Sequence, residues 1–484
     1  MVFQTDLKLA NLLRVLLFIL FLPSVVSAQD VVLSFKNEEL SRRITKDSYS
    51  IQNAENNNLA IIILERKDAA AYLFDSKLKE LTAFTTENIK SKYKEILGYS
   101  IDNDIYSVFY ANNTRSKFAF HQLDFKSKTS SVKEIELNLD KKEILLDAIN
   151  YNNNLFLFTA NNNNLLTLRK YNGDAFEVLK TFNLKEIKEY TSLINSKIAI
   201  GIFVLAGSET SNVTKIDTRI PNTIERTSNK NKLYQKENIV QLTFDNNEEH
   251  TVLYTIDLDK LDLKVKTYPY PKPRLNDAFK KANSFLFEDK IYQIASSKDE
   301  MAVEIKDLEG NLLKDFYVNR DMNINFKNSP IIQEGATALP FVTTRKLEQT
   351  TKYLRKISSG NPGINVQKID GKYYVTLGGY QVIYTGGISP VVSTPNMNGV
   401  FISYNPTYLS YSGYTTTKST YFNTILDLNF NHIKGKLDSN NFDRIEAFKK
   451  EIKYNTAEDV FYLNDTLYFG YFNLKESLYN LVKF

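Results

Sequence analysis

Short apolar runs rich in β-branched and aromatic residues alternate along most of the chain with Asn-, Asp- and Lys-rich punctuation. Residues 59–64 (LAIIIL), 69–74 (AAAYLF) and 80–85 make one series. Residues 95–101, 105–110, 118–125 and 132–137 make a set of four, and 143–150, 155–160, 165–171 and 176–182 make a second. Such runs are too short for helices, carry strand-forming residues and are bounded by turn formers, so the pattern predicts an all-β chain. Two helices interrupt it. Leu347, Leu354 and Ile357 fall on one face of an amphipathic helix with Gly360 as its stop, and a second helix is predicted over 442–452. Residues 364–369 and 373–377 read as a hairpin turned by Asp370-Gly371.

The strand sets also repeat. A strand ending on Asp or Asn recurs as Tyr72-Leu73-Phe74-Asp75, His121-Gln122-Leu123-Asp124, Arg169-Lys170-Tyr171-Asn172, Tyr254-Thr255-Ile256-Asp257, Glu304-Ile305-Lys306-Asp307 and Thr424-Ile425-Leu426-Asp427. The steps from 75 to 124 to 172, and from 257 to 307, are 49, 48 and 50 residues. A period of ~40–50 residues with four strands per unit is the spacing of propeller blades. A carboxylate or amide at this point can accept backbone N–H bonds in the turn to the fourth strand, so these residues are turn formers rather than catalysts. Thr214-Lys215-Ile216-Asp217 marks either a weak further blade or an insertion around Pro221 to Lys232. A lone strand at 31–35 precedes the first set, and 459–463, 467–472 and 478–484 lack one strand, so pairing the two ends would close a ring and hide its edges.

On these residues the chain resembles the β-propeller superfamily in general. The resemblance implies about seven four-stranded blades (six or eight also fit) over residues 29–484. It also implies closure through the N-terminal strand, one or two small inserted helices and an insertion at about 378–419. The chain contains no Trp, and the WD dipeptide, the sialidase Asp-box and the kelch motif are all absent, so no named propeller family is matched.

Residues 1–28 have the composition of a cleavable export signal. Lys8 and Arg14 precede an apolar run over 15–22, Pro23 breaks it, and Val26-Ser27-Ala28 offers small residues for cleavage before Gln29. A spanning helix needs ~20 apolar residues, and Arg14 and Pro23 leave too few. The chain is therefore expected to be exported (periplasmic, surface-associated or secreted), with no transmembrane span in its mature part. The absence of cysteine excludes disulfides, thiolate metal sites, a Cys nucleophile and a lipid-anchored lipoprotein. A formal net charge of +5 spread along 484 residues is no nucleic-acid footprint.

Candidate chemistry is sparse. His121, His250 and His432 lie in three different repeat units without ligand spacing, and are expected to be solvated or hydrogen-bonded. The acidic clusters Asp102/Asp104, Asp245/Glu248/Glu249 and Asp257/Asp259/Asp262 fall in predicted turns and lack calcium-loop spacing. No cofactor or metal is expected. The most unusual segment runs from Gly378 to Ser419, where Tyr380, Tyr384, Tyr404, Tyr408, Tyr411 and Tyr414 are spaced by Ser, Thr, Gly and Asn, with Tyr421 just beyond. Tyrosine gives contact area and a hydroxyl at low entropic cost, so Tyr404, Tyr408, Tyr411 and Tyr414 are the candidate binding residues for an envelope or extracellular protein or glycan. The competing reading packs them on the adjacent blade. Sequons at Asn112, Asn212 and Asn464 matter only in a host that glycosylates exported proteins. The expected function is non-catalytic binding. A carboxylate-dependent glycan-processing enzyme and a structural subunit of an envelope complex are the alternatives.

Overall fold

The apolar runs pair as strands, and nearly all of the pairing is antiparallel and between neighbours in the chain. The computed structural model describes residues 30–37, 40, 46–140, 143–161, 163–186, 213–246, 248–275, 278–335, 344–381, 404–414 and 419–484. The expected export signal over residues 1–28, Asn212, Tyr384 and much of the 378–419 segment lie outside the described residues.

After β1 (Val31–Lys36), sheet I contains β2 (Asp47–Gln52), β3 (Leu59–Leu64), β4 (Asp68–Phe74) and β5 (Glu80–Glu87) in that order. Sheet II repeats this with β6 (Tyr93–Asp102), β7 (Ile105–Asn112), β8 (Phe118–Asp124) and β9 (Thr129–Ile135). Sheet III does so with β10 (Glu143–Tyr151), β11 (Asn154–Asn161), β12 (Leu165–Tyr171) and β13 (Phe176–Asn183). In sheet IV, β14 (Thr214–Ile216) lies parallel to β15 (Asn231–Lys236), followed by β16 (Ile239–Phe244), β17 (His250–Asp257) and β18 (Asp262–Pro269). The short helix α1 (Ile224–Thr227) sits between β14 and β15 in the chain. Sheet V is β19 (Lys281–Phe287), β20 (Lys290–Ser296), β21 (Glu300–Asp307) and β22 (Leu312–Asn319).

Sheet VI departs from the meander. Its chain order is β23 (Ile331–Glu334), β24 (Thr344–Leu347), helix α2 (Thr350–Ser359), β25 (Asn361–Ile369), β26 (Lys372–Tyr380), helix α3 (Pro406–Tyr414) and β27 (Ser419–Leu426). Its spatial order is β24-β23-β27-β26-β25. Helix α4 (Asn441–Lys449) then leads to sheet VII, where β28 (Asn455–Leu463), β29 (Thr466–Asn473) and β30 (Leu478–Lys483) are joined by β1. Phe35 stands opposite Tyr479 in that pairing, and Ser34 Oγ donates to Asn480 Oδ1 at 2.9 Å.

Sheets I to VI pack face to face in chain order through apolar clusters. Sheets I and II share Ile51, Ile62, Val108 and Tyr110, and sheets II and III share Phe109, Phe120, Leu157 and Tyr171. Leu168, Leu242 and Ile256 join III to IV, and one large cluster runs from IV through V to VI. Sheet VII meets sheet I through Phe35, Ile61, Phe472 and Tyr479. Its other face is covered by α3, α4 and Ile220. Inner strands such as β3 are buried throughout, whereas outer ones such as β9 are mostly exposed. Among the described residues, no helix is long and apolar enough to cross a membrane.

The recurring Asp and Asn residues act as turn acceptors. Oδ1 of Asp75, Asp124, Asn172, Asp257 and Asp427 each accepts two backbone N–H bonds, and that of Asp307 accepts one. Backbone donors hold Asp75, Asp124, Asp257 and Asp427 below the usual carboxylate pKa range.

Four local expectations need correction. The Asp217 segment forms neither its own blade nor a plain insertion: β14 adds to sheet IV and the following residues build α1. No fourth strand follows Asp427, because its place beside β27 is already taken by β23 from earlier in the chain. Leu347 ends β24 rather than starting a helix, and α2 begins at Thr350. Asp245, expected only as a turn residue, does lie between β16 and β17 but is fully buried against Lys232.

Gly360 does end α2, but for want of space rather than for a left-handed turn. A Cβ there would lie 2.2 Å from the backbone oxygen of Tyr380. Gly360→Ala is expected to destabilise the protein by about 1–3 kcal/mol, as overpacking does, measured as a lower denaturant midpoint at unchanged slope.

Candidate functional site

Within the Tyr-rich segment, residues 406–414 fold as helix α3. Asn405 caps it, accepting the Thr407 N–H at 3.0 Å, and Pro406 follows in the first helical position, where its missing donor does no harm. The helix is fixed at both ends and along its buried face. Asn405 Nδ2 donates to the Val460 carbonyl of sheet VII at 2.9 Å. Thr407 Oγ1 donates to Asp217 at 2.6 Å, and Ser410 Oγ to Asn222 at 2.7 Å.

The four candidate tyrosines therefore have different surroundings. Tyr404 donates to the Ser50 carbonyl at 2.7 Å and sets its ring edge-on to Tyr99, 5.5 Å away. Tyr408 packs against the sheet VII cluster. Tyr411 is 2% exposed, lies edge-on to Phe442 and donates to Glu446 at 2.8 Å. Tyr414, at the end of α3, instead lines a cavity.

That cavity has a volume of about 290 Å³ and lies between the face of sheet VI and the layer made by α1, α3 and α4. Sheet VI contributes Glu334, Asn365, Gln367, Tyr374, Thr376, Tyr421 and Asn423. The opposite wall comes from residues 221–224, Tyr414, Asp438, Asn440 and Asp443. Gly363 seats this wall, since a Cβ on it would come 3.0 Å from the Ile224 carbonyl oxygen. Among the described residues, no lysine or arginine lines the cavity.

Its three carboxylates are each held by a tyrosine hydroxyl. Tyr374 donates to Asp438, Tyr414 donates to Asp443 at 2.5 Å, and Tyr421 bonds Glu334. Asp443 also completes a capping box with Asn440 at the start of α4, which fixes its position. Burial pushes the Glu334 carboxyl above the usual range, and the Tyr421 hydroxyl offsets part of that rise. Asn365 is wholly buried, and its Nδ2 has no partner even though its Oδ1 accepts the Asn222 N–H at 3.3 Å. A buried donor left unpaired in a cavity wall is uncommon and points to an acceptor that arrives with a ligand. Among the described residues, no three His, Asp or Glu side chains group so as to hold a metal ion.

The sequence reading reached Tyr414 and Tyr421 but missed Glu334, Asn365, Tyr374 and Asp438. These sit singly on strands or a linker that topology alone brings together. Only the Asn440/Asp443 capping box carried a local signal. The histidines do not meet: His121 is on β8, His250 opens β17, and His432 Nε2 lies 3.1 Å from Asn328 beyond β27. His121 corrects an expectation. It is wholly buried with neither ring nitrogen hydrogen-bonded, and burial lowers its pKa to about 4.

No family model matches the chain, and no curated protein matches it. Among solved structures it is similar to a member of the DUF4221 family from Bacteroides vulgatus, at 11% identity, 91% coverage of this chain, 98% of that one and a TM-score of 0.33. A prolyl endopeptidase shares 8% identity, covering 91% of this chain and 50% of that one at a TM-score of 0.33. A Synechocystis apocarotenoid oxygenase variant shares 7% identity over 58% of this chain, at a TM-score of 0.28. The match spans 62% of the oxygenase's length. At this level of superposition, none of these likenesses bears on any residue of the cavity.

Proposed function

We propose that this chain is an exported binding protein, built as a closed seven-bladed propeller, that holds a glycan of the cell envelope or surroundings between sheet VI and the α3–α4 layer. The observation that carries this reading is the cavity itself. Its size is at the low end of small-molecule sites, and its lining pairs aromatic rings with amides, hydroxyls and carboxylates, the mix that a polyhydroxylated ring needs. The seven-blade reading is supported by the seven sheets among the described residues and by β1 completing sheet VII. Export is supported by the composition of residues 1–28.

The test is calorimetric titration of the full-length, naturally processed protein, its N-terminus beginning at Gln29, with a panel of envelope oligosaccharides. Tyr414→Phe removes one cavity hydroxyl and is expected to weaken binding at least tenfold, about 1.4 kcal/mol. Tyr404→Phe, outside the cavity, should leave affinity unchanged. Equal affinity in both variants, or no binding by the parent, would overturn the proposal.

One observation favours a hydrolytic second reading. Glu334, whose carboxyl burial pushes above the usual range, shares the cavity with the side chains of Asp438 and Asp443, and glycoside hydrolysis uses such a pair of acidic residues. Release of shortened oligosaccharides by the parent, abolished in Glu334→Gln, would replace the binding reading with this one.

A further inference from the structure

We infer that the sugar taken by the cavity carries a free, protonated amine, so that the site is selective for a non-acylated amino sugar. This deepens the glycan reading and rests on it.

The first ground is charge. Glu334, Asp438 and Asp443 line one cavity of about 290 Å³ without a lysine or arginine among the lining residues. None of the three is ion-paired among the described residues. Carboxylates lining a partly dehydrated space favour a cationic ligand over a neutral one. Each tyrosine hydroxyl occupies one acceptor position on its carboxylate and leaves others open, while an ammonium group brings three donors.

The second ground is independent of charge. The wholly buried Asn365 presents an Nδ2 donor without a partner in the same wall. A cavity meant for a bare cation needs acceptors only. An added donor calls for a ligand with an acceptor oxygen as well, which a ring hydroxyl supplies. A lysine side chain from a protein partner would satisfy the acid cluster, but it would set four methylenes against walls that are largely Asn, Gln, Thr and Tyr. N-acetylation of the sugar would remove the charge and turn a carbonyl oxygen toward the carboxylates, an acceptor facing acceptors.

The ordering is therefore amino sugar over neutral sugar over N-acetylated sugar. Binding should also strengthen as pH rises through the upward-shifted titration of Glu334, because a proton on Glu334 competes with the amine. Tyr374, Tyr414, Tyr421, Asp438 and Asp443 are the other titratable groups lining the cavity with it.

The experiment titrates the full-length protein with glucosamine oligomers, the N-acetylated oligomers of the same length and neutral glucose oligomers, at low and high salt. The expected result is at least tenfold tighter binding of the glucosamine oligomer, with the preference reduced by salt. Glu334→Gln and Asp438→Asn should each reduce that preference. Asp443 is left intact because it caps α4. Equal or tighter binding of the neutral or acetylated oligomers overturns the amine inference while leaving the glycan reading standing. Failure of all three to bind, or tight binding of a lysine peptide alone, overturns both.

Discussion

Asp245→Ala is expected to lower the free energy of unfolding by about 3–5 kcal/mol, the usual result of breaking a buried ion pair from one side. Asp245 follows β16 directly, and its carboxylate is fully dehydrated together with the Lys232 ammonium 3.0 Å away. Its acceptors are fully used. Oδ1 takes the hydroxyls of Thr251 at 2.7 Å and Tyr270 at 2.8 Å. Oδ2 takes Lys232 and both the amide and hydroxyl of Ser284, at 3.0 and 2.8 Å. Lys232 in turn donates to the Asn229 carbonyl and Asn283. Ser284 and Asn283 belong to sheet V, so the pair also bonds sheet IV to its neighbour. Removing the carboxylate strands a buried cation and several donors at once. Lys232→Met combined with Asp245→Leu should recover much of the loss, because neither charge is then buried alone. Chemical denaturation of the parent and the two variants at constant pH measures both effects. A double variant no more stable than Asp245→Ala would show that the stability lies in the surrounding hydrogen bonds.

A second large effect concerns two buried groups whose pH dependences oppose each other. His121 titrates near 6.5 when unfolded and near 4 when folded, because burial disfavours its cation. The unfolded chain therefore binds the extra proton between those values, and stability falls as pH drops from about 6.5 to 4, by roughly 3 kcal/mol in all. Asp459 behaves in the opposite sense. Burial raises its pKa from 3.8 to about 7, with the Ser50 and Val460 amides and the Ser50 hydroxyl lowering it in part. The folded chain holds that proton, and stability rises by roughly 4 kcal/mol as pH drops from about 7 to 3.8. The two nearly cancel between pH 4 and 7. Asp459→Asn removes one of them: the variant should be more stable than the parent above pH 7, and that advantage should shrink by about 4 kcal/mol on going to pH 4. A difference between variant and parent that does not change with pH would show that Asp459 is ionised in the fold.

Much of the architecture was legible because it is written in local signals. Runs such as 59–64 and 105–110 declare strands by composition, and the Asp75-type residues declare the turns that follow them. Sheet VI was not legible, because β23 pairs with β27 across an interval holding a helix, a hairpin and α3, and no local pattern encodes that partner. Helix α3 was missed for a related reason. Its residues Pro406 to Tyr414 are poor helix formers, and the helix stands because Asp217, Asn222 and Val460 hold it. The cavity inherits that difficulty. Tyr414 was recognisable as unusual, whereas Glu334 and Asp438 became neighbours only through the irregular strand order. Tyr404 and Tyr411 looked like contact residues because tyrosine serves burial and recognition equally well; the distinction lies in what their hydroxyls meet.

The pairing of β1 with β30 also bears on the order in which the protein can be completed during synthesis. Sheet VII needs residues separated by nearly the whole chain, so a nascent polypeptide can assemble sheets I to VI in turn while β1 waits without its partner. Until the last residues emerge, the apolar side of sheet I that Phe35 and Tyr479 cover remains open, and so does the edge of β29. Such unpaired edges invite association with other chains.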